Sequence, residues 1–347
     1  MKKLLSICTI ILIAITLSFA SSNAAASTQL KVTFINVGQA DSILVQSPDG
    51  ENMLIDAGNN TDSATIIKYL KKQNIKKLDF VIGTHPHEDH IGSLDSVINT
   101  FDIGKVYMPK VTTTTKTFEN VIDAIKNKGL KITTPIPGTS FKLGEAACTI
   151  LAPNNSAYTD LNNYSIVLKL TYKKNSFLFT GDAEDVSEHE MISKGYDLKA
   201  DVLKVGHHGS ANSTTEPFLK KVKCKYAVIS VGKGNIYGHP AKSTIDRLYA
   251  NKIKVYRTDL NGTITATSDG ATIKFNKLAT PDKSQAPPSP TGTIKKPNSN
   301  TIVYITKSGT KYHLGTCSYL KGSKIAIKLK DAKAKGYTAC SKCKPPK

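Results

Sequence analysis

The chain has 347 residues, 39% of them hydrophobic, which leaves room for one large domain and a small one and excludes more. Its formal net charge of +20 is unevenly spread: from Pro281 to Lys347 there are fourteen lysines against two aspartates, Asp282 and Asp331, a net +12. A block of that sign excludes a cationic partner and attracts DNA, an anionic cell-wall polymer such as teichoic acid, or an anionic membrane; the alternative is a solubilising lysine-rich surface.

In chain order, residues 1–26 read as a secretory signal peptide: a basic Met1-Lys2-Lys3, an apolar run from Leu4 to Leu17, and small-residue cleavage sites at Ser18-Phe19-Ala20 or Ala24-Ala25-Ala26. The run is short for a membrane span, so no stable transmembrane anchor and a secreted, extracellular or cell-surface location are expected. Cys8 lacks a small residue just before it, which argues against lipoprotein anchoring.

Residues 27–278 alternate strand and helix patterns. Leu30 to Val37, Ser42 to Gln46 and Asn52 to Asp56 predict an antiparallel opening meander, and Asp62 to Lys72 predicts a helix with Ala64, Ile66, Ile67 and Leu70 on one face. Val121 to Ile125 reads as helical and Ala147 to Leu151 as extended. Tyr164 to Leu170 pairs with Ser176 to Thr180 across Lys173-Lys174-Asn175, and Gly262 to Phe275 forms a final hairpin turning at Ser268-Asp269-Gly270. Cys148 and Cys224 lie in apolar contexts and read as buried thiols.

The stretch Thr84-His85-Pro86-His87-Glu88-Asp89-His90 follows an apolar strand, Leu78 to Ile82. Three imidazoles and a carboxylate within six residues supply the nitrogen and oxygen donors that zinc and similar ions prefer. Pro86 biases His85 towards an extended backbone, so the alternate histidines aim at one metal while Asp89 and His90 face a second. The alternative is a polar loop rich in histidine. Asp182, His207 and His239 also follow apolar runs, which places them along one rim of a packed pair of sheets and predicts a four-layer αββα sandwich of mixed α/β class.

The pattern His-x-His-x-Asp-His resembles the signature of the metallo-β-lactamase superfamily. Together with Asn36 to Ser42, Leu54 to Gly58, Asn162 to Ser165, Phe179 to Asp182, Leu203 to Ser210 and Tyr237 to Pro240, it resembles the metallo-β-lactamase domain of the ComEC-type DNA-uptake competence proteins, from about Leu30 to Phe275. That resemblance implies a dinuclear centre: His85 and His87 on one ion, Asp89, His90 and His207 on the other, and Asp182 bridging. It implies two divalent ions, zinc first and manganese as the alternative, which activate a hydroxide against a phosphodiester. Many members of the superfamily supply a further histidine where this chain has Asn162-Asn163.

Asp89 and His239 are the candidate catalytic residues, His239 as a general acid or phosphate contact, with a structural turn histidine as the alternative. Asp41 and Asp56 are candidates for carboxylates that orient ligating imidazoles, or else ordinary turn aspartates. His208 is open to a purely buried role, Ser210 to capping the next helix, and His189 reads as solvated.

Residues 279–300, rich in Pro, Ser, Thr and Lys, read as a spacer. The tail, 301–347, holds His313-x3-Cys317 and Cys340-x2-Cys343, the spacing of a structural zinc site in a domain too small to hold a core alone. Three cysteines cannot all pair with one another, which favours metal over a disulfide with a leftover thiol. The tail resembles the zinc-binding module of the DNA-repair protein Ada, with His313 where that family has cysteine, and a tail found on secreted nucleases. The expected function is a secreted metal-dependent phosphodiesterase, a nuclease acting on DNA held by the basic tail. The alternatives are a cell-wall phosphodiesterase acting on a phosphocholine or teichoic acid ester, and a non-catalytic surface DNA-binding protein.

Overall fold

The computed structural model describes residues 29–281, 302–307, 309–314, 317–320, 323–340 and 343. The expected signal peptide and nearly all of the expected spacer lie outside these residues. Among the described residues, no helix is long and apolar enough to cross a membrane.

Two sheets face each other. In the first, the strands run in the order Ile273–Phe275, Ile264–Ser268, Leu30–Phe34, Ile43–Gln46, Asn52–Ile55, Lys77–Ile82, Asp102–Tyr107 and Ile132–Thr133. The second runs Lys254–Arg257, Tyr226–Ile229, Val202–Lys204, Asn175–Phe179, Val167–Tyr172, Ala146–Ala152 and Ser140–Leu143. Strand side chains alternate between faces, and here both faces are apolar because both are covered. Ile43, Val45, Met53 and Ile55 point to the inter-sheet core, where they meet Leu168, Leu170, Phe177 and Phe179 of the second sheet. Leu44 and Leu54, one residue out of phase, face outward onto the helices Ser63–Lys72, Leu94–Thr100 and Lys116–Asn127. Leu178 and Leu203 do the same for Asp185–Ser193, Glu216–Val222 and Lys242–Ala250. The result is the expected αββα sandwich.

The opening meander and the final hairpin are antiparallel, with Lys31 opposite Gln46 and Ala266 opposite Phe275. The pair Val167–Tyr172 and Asn175–Phe179 is antiparallel too, but begins later than expected: Leu161–Tyr164 is a tight turn, in which the Asp160 side chain accepts from the Asn162 N–H. The strands Asn52–Ile55, Lys77–Ile82, Val202–Lys204 and Tyr226–Ile229 are among those parallel to their successors across a helix, as parallel pairing requires. Their carboxyl ends, at Ile55, Ile82, Lys204 and Ile229, open on one rim beside Phe179, the place where open α/β sheets bind ligands.

The tail folds around its own sheet, ordered Ile325–Lys328, Ile302–Ile305, Lys311–His313 and Thr338–Ala339, with the helix Leu329–Ala334. Val303, Ile305, Tyr312, Leu329 and Ala332 make its small core.

Candidate metal centre

The strand Lys77–Ile82 ends in a turn held from both sides. The Thr84 N–H and hydroxyl both donate to Asp56 (2.8 Å each), and the Thr84 carbonyl accepts from the Ile166 N–H (2.9 Å). His85 is buried, and its Nε2 lies 2.9 Å from Nδ1 of His87. His87 precedes the short helix Glu88–Ile91, which carries Asp89 and His90 to the rim. That helix packs closely because residue 92 is glycine: a Cβ there would lie 2.2 Å from the Asn59 carbonyl carbon.

Asp182 meets this turn from the second sheet. Gly181 has φ +51°, and a Cβ on it would stand 3.0 Å from Thr84 Oγ1, so only glycine brings the strands this close without strain. The Asp182 N–H donates to Ser165 Oγ (3.0 Å), which fixes its carboxylate. Oδ1 lies 3.2 Å from His90 Nε2, while Oδ2 lies 3.7 Å from Nε2 of both His207 and His208 and 4.0 Å from His85 Nε2. One carboxylate therefore faces four imidazoles.

The electrostatics match that crowding. Burial works against the charge of Asp182, yet His90 and His208 hold its carboxyl well below the usual range. Burial likewise disfavours protonated His90, but Asp182 and Asp56 hold it well above an ordinary histidine. His90 Nε2 and Asp182 Oδ1 are nevertheless buried without a hydrogen-bond partner. Orphaned buried donors and acceptors are costly; an imidazole nitrogen and a carboxylate oxygen aimed at one point are what a divalent cation, displacing the imidazole proton, would satisfy.

The ligand atoms of Asp89, His90, Asp182 and His208 lie within 4.8 Å of one another. The expected set named His207 and left His208 to the interior, and the structure corrects that division: both imidazoles reach the centre. The physical reason is local. His207 (φ 46°) and His208 (φ 51°) are two successive left-handed residues, which abolishes the strand-like alternation that would send neighbours to opposite faces.

Three of the imidazoles are steered through their other nitrogen. His90 Nδ1 donates to Asp56 Oδ2 (2.8 Å), His208 Nδ1 to the Ser230 carbonyl (2.9 Å), and His207 Nδ1 to Glu184 Oε1 (2.9 Å). Such bonds leave Nε2 free as the ligand atom. Sequence reasoning missed Glu184, two residues past Asp182, because an acidic residue just before a helix reads as a cap. Asp41 pairs with the buried Lys204 ammonium (2.9 Å), and its Oδ1 stands 3.6 Å from His208 Nδ1 without a hydrogen bond.

A cleft of about 490 Å³ opens over the centre, lined by His87, Asp89, Asp182, His207, His239 and Asn162 among others. Asn163 faces away: its Oδ1 accepts from the Glu184 and Ser187 N–H groups. Asn162 is the one that reaches the cleft, with a buried, unpartnered Oδ1. His239 lines the cleft with Nδ1 unpartnered, and burial, with His207 and His208, pushes it down to about 4, which keeps the ring neutral. Ser210 does not cap the helix Glu216–Val222, which starts after Thr215; its carbonyl accepts from the Thr244 hydroxyl. His189 is exposed, and Cys148 and Cys224 are buried thiols.

In the tail, His313, Cys317, Cys340 and Cys343 also bring four ligand atoms within 4.8 Å, with His313 Nδ1 3.2 Å from Cys317 Sγ.

Comparison with known proteins agrees with the geometry. Residues 35–233 match the model of the metallo-beta-lactamase superfamily. ComE operon protein 3 of Bacillus subtilis is 33% identical over 255 residues, 69% of this chain and 33% of that protein. Competence protein ComA of Neisseria gonorrhoeae is 29% identical over 235 residues, 67% of this chain and 31% of that protein, and Recombination protein 2 of Haemophilus influenzae is 30% identical over 240, 67% and 28%. The chain thus spans about a third of the length of these relatives, over its larger domain. It belongs to the metallo-β-lactamase superfamily, in the branch of these competence proteins, and the rim that gathers His85 to His90, Asp182, His207 and His208 is that of a metal-dependent hydrolase.

Proposed function

We propose that the protein is a secreted phosphodiesterase that hydrolyses DNA at a two-metal centre and holds its substrate with a basic, zinc-stabilised tail. The observation that carries this reading is the single carboxylate of Asp182 facing His85, His90, His207 and His208 across a cleft open to solvent. His85 and His87 would hold one ion, Asp89, His90 and His208 the other with His207 beside them, and Asp182 would serve both. Bound divalent ions supply Lewis acidity and an acidified water at neutral pH. The protein's own part is orientation: Asp56, Glu184 and the Ser230 carbonyl fix three tautomers before substrate arrives. His239, a neutral ring on the cleft, would donate to a phosphoryl oxygen, and Asn162 Oδ1, a buried acceptor, would face a bound cation rather than the phosphate. Zinc suits the imidazole-rich set, with manganese as the second candidate.

DNA is favoured over other diesters because the relatives include a competence protein and a recombination protein by name and because the tail carries net +12. The amino-terminal leader supports an extracellular site of action. Purified, metal-loaded protein should degrade DNA, and chelation, Asp182→Ala and His87→Ala should each abolish it. Intact DNA alongside turnover of bis(p-nitrophenyl) phosphate would assign a different diester, such as one from the cell wall.

A further inference from the structure

The cleft carries an aromatic ring that the metal centre does not use. Between the strand Tyr226–Ile229 and the helix Lys242–Ala250 the chain forms a loop whose tip, Ile236 and Tyr237, is 85% and 66% exposed. The loop is held firmly. Asn235 Nδ2 donates to the carbonyls of Gly232 (3.0 Å) and His239 (2.6 Å), and its Oδ1 accepts from the N–H groups of Tyr237 (3.1 Å) and His239 (3.0 Å). The Gly232 N–H donates to Gln39 Oε1 (3.0 Å), which ties the loop to the opening meander. A loop backbone held in this way loses little conformational entropy when a ligand covers its tip.

The position of the ring matters as much as its rigidity. The Tyr237 ring lies 5.8 Å from that of His239 with 27° between planes, and His239 lies 5.4 Å from His207, which reaches Asp182. A line of rings thus runs from the centre to solvent and ends on an exposed aromatic face. Among the described residues, those that line the cleft include Glu88, Asp89 and Asp182 and four histidines but no lysine or arginine. Beside the metal centre the lining therefore offers the substrate no permanent cation, and Tyr237 is the exposed group with surface to grip it.

We propose that Tyr237 is a stacking platform for a nucleobase next to the scissile phosphate, which makes unpaired nucleic acid the substrate class; this rests on the nuclease reading above. Every base has a π-face, so such a platform is sequence-tolerant. In a duplex that face is covered by neighbouring pairs, and reaching it requires unstacking.

The chain contains no tryptophan, so Tyr237→Trp places the only indole at the platform. Full-length Tyr237→Trp protein, treated with chelator, is titrated with a single-stranded oligonucleotide and with an abasic strand of equal length. The oligonucleotide should quench the indole fluorescence and the abasic strand should not. In metal-loaded protein, Tyr237→Ala should raise KM for the oligonucleotide roughly tenfold, with the loss in KM rather than kcat, and Tyr237→Phe should restore it. Equal quenching by both strands, no quenching, or an unchanged KM in Tyr237→Ala would overturn the platform. Discriminating quenching without DNA cleavage by the wild type would instead sink the nuclease reading and leave the platform standing.

Discussion

At the scale of single residues, the centre is built from pairs in which one group binds and another aims it. Asp56 is the clearest: fully buried, it takes two hydrogen bonds from Thr84 and one from His90. Replacing it with asparagine keeps the volume but lets the amide flip and lose its hold on the imidazole. Asp56→Asn should lower metal affinity and hydrolysis by about 10–100-fold, read by metal titration. His208→Ala should cost at least as much, since it deletes a member of the donor group made with Asp89, His90 and Asp182. A His208→Ala protein that binds metal as the wild type does would return that histidine to a purely structural role.

At the scale of elements, much was readable from the chain because the signals are local. The apolar runs in Ile43 to Gln46 and Asn52 to Ile55 reported strands, and the density of donors from His85 to His90 reported a ligand turn. Strand order was not readable, because the pairing of Leu30–Phe34 with Ile264–Ser268 joins residues more than two hundred positions apart. Nor was the shared role of His207 and His208, which depends on two left-handed residues in a row, or the pairing of Asp41 with Lys204, a buried ion pair that no spacing announces. Glu188 gives this scale its own test. It lies on the helix Asp185–Ser193 and accepts from the N–H groups of Thr214 and Thr215 and from the Thr215 hydroxyl, joining that helix to the start of the next. Burial pushes its carboxyl up to about 7 from an ordinary 4.5, against those hydrogen bonds. The folded state then holds a proton that the unfolded chain releases, so the stabilisation is complete below about 4.5 and fades as pH rises through about 7. The Tm should fall across that window, and Glu188→Gln should flatten the slope; an unchanged slope would place the titrating group elsewhere.

At the scale of the whole molecule, the proposed function joins a site that cuts to a tail that holds. Fourteen lysines from Pro281 onward make the tail's contribution electrostatic, so it should vanish with salt. With about six phosphate contacts, full-length protein should lose about 10³-fold in DNA affinity between about 50 and 200 mM salt, and a chain ending at residue 278 should bind more weakly with a flatter dependence. An identical salt slope in the shortened chain would show that the larger domain alone grips DNA.

The measurement that bears most directly on the account is the metal content of purified, zinc-loaded protein, set beside that of Asp182→Ala. The wild type should carry about three ions per chain, two at the rim and one in the tail, and the variant should keep about one. Equal metal content in the two proteins would mean that Asp182 bridges nothing, and the two-metal centre would have to be abandoned.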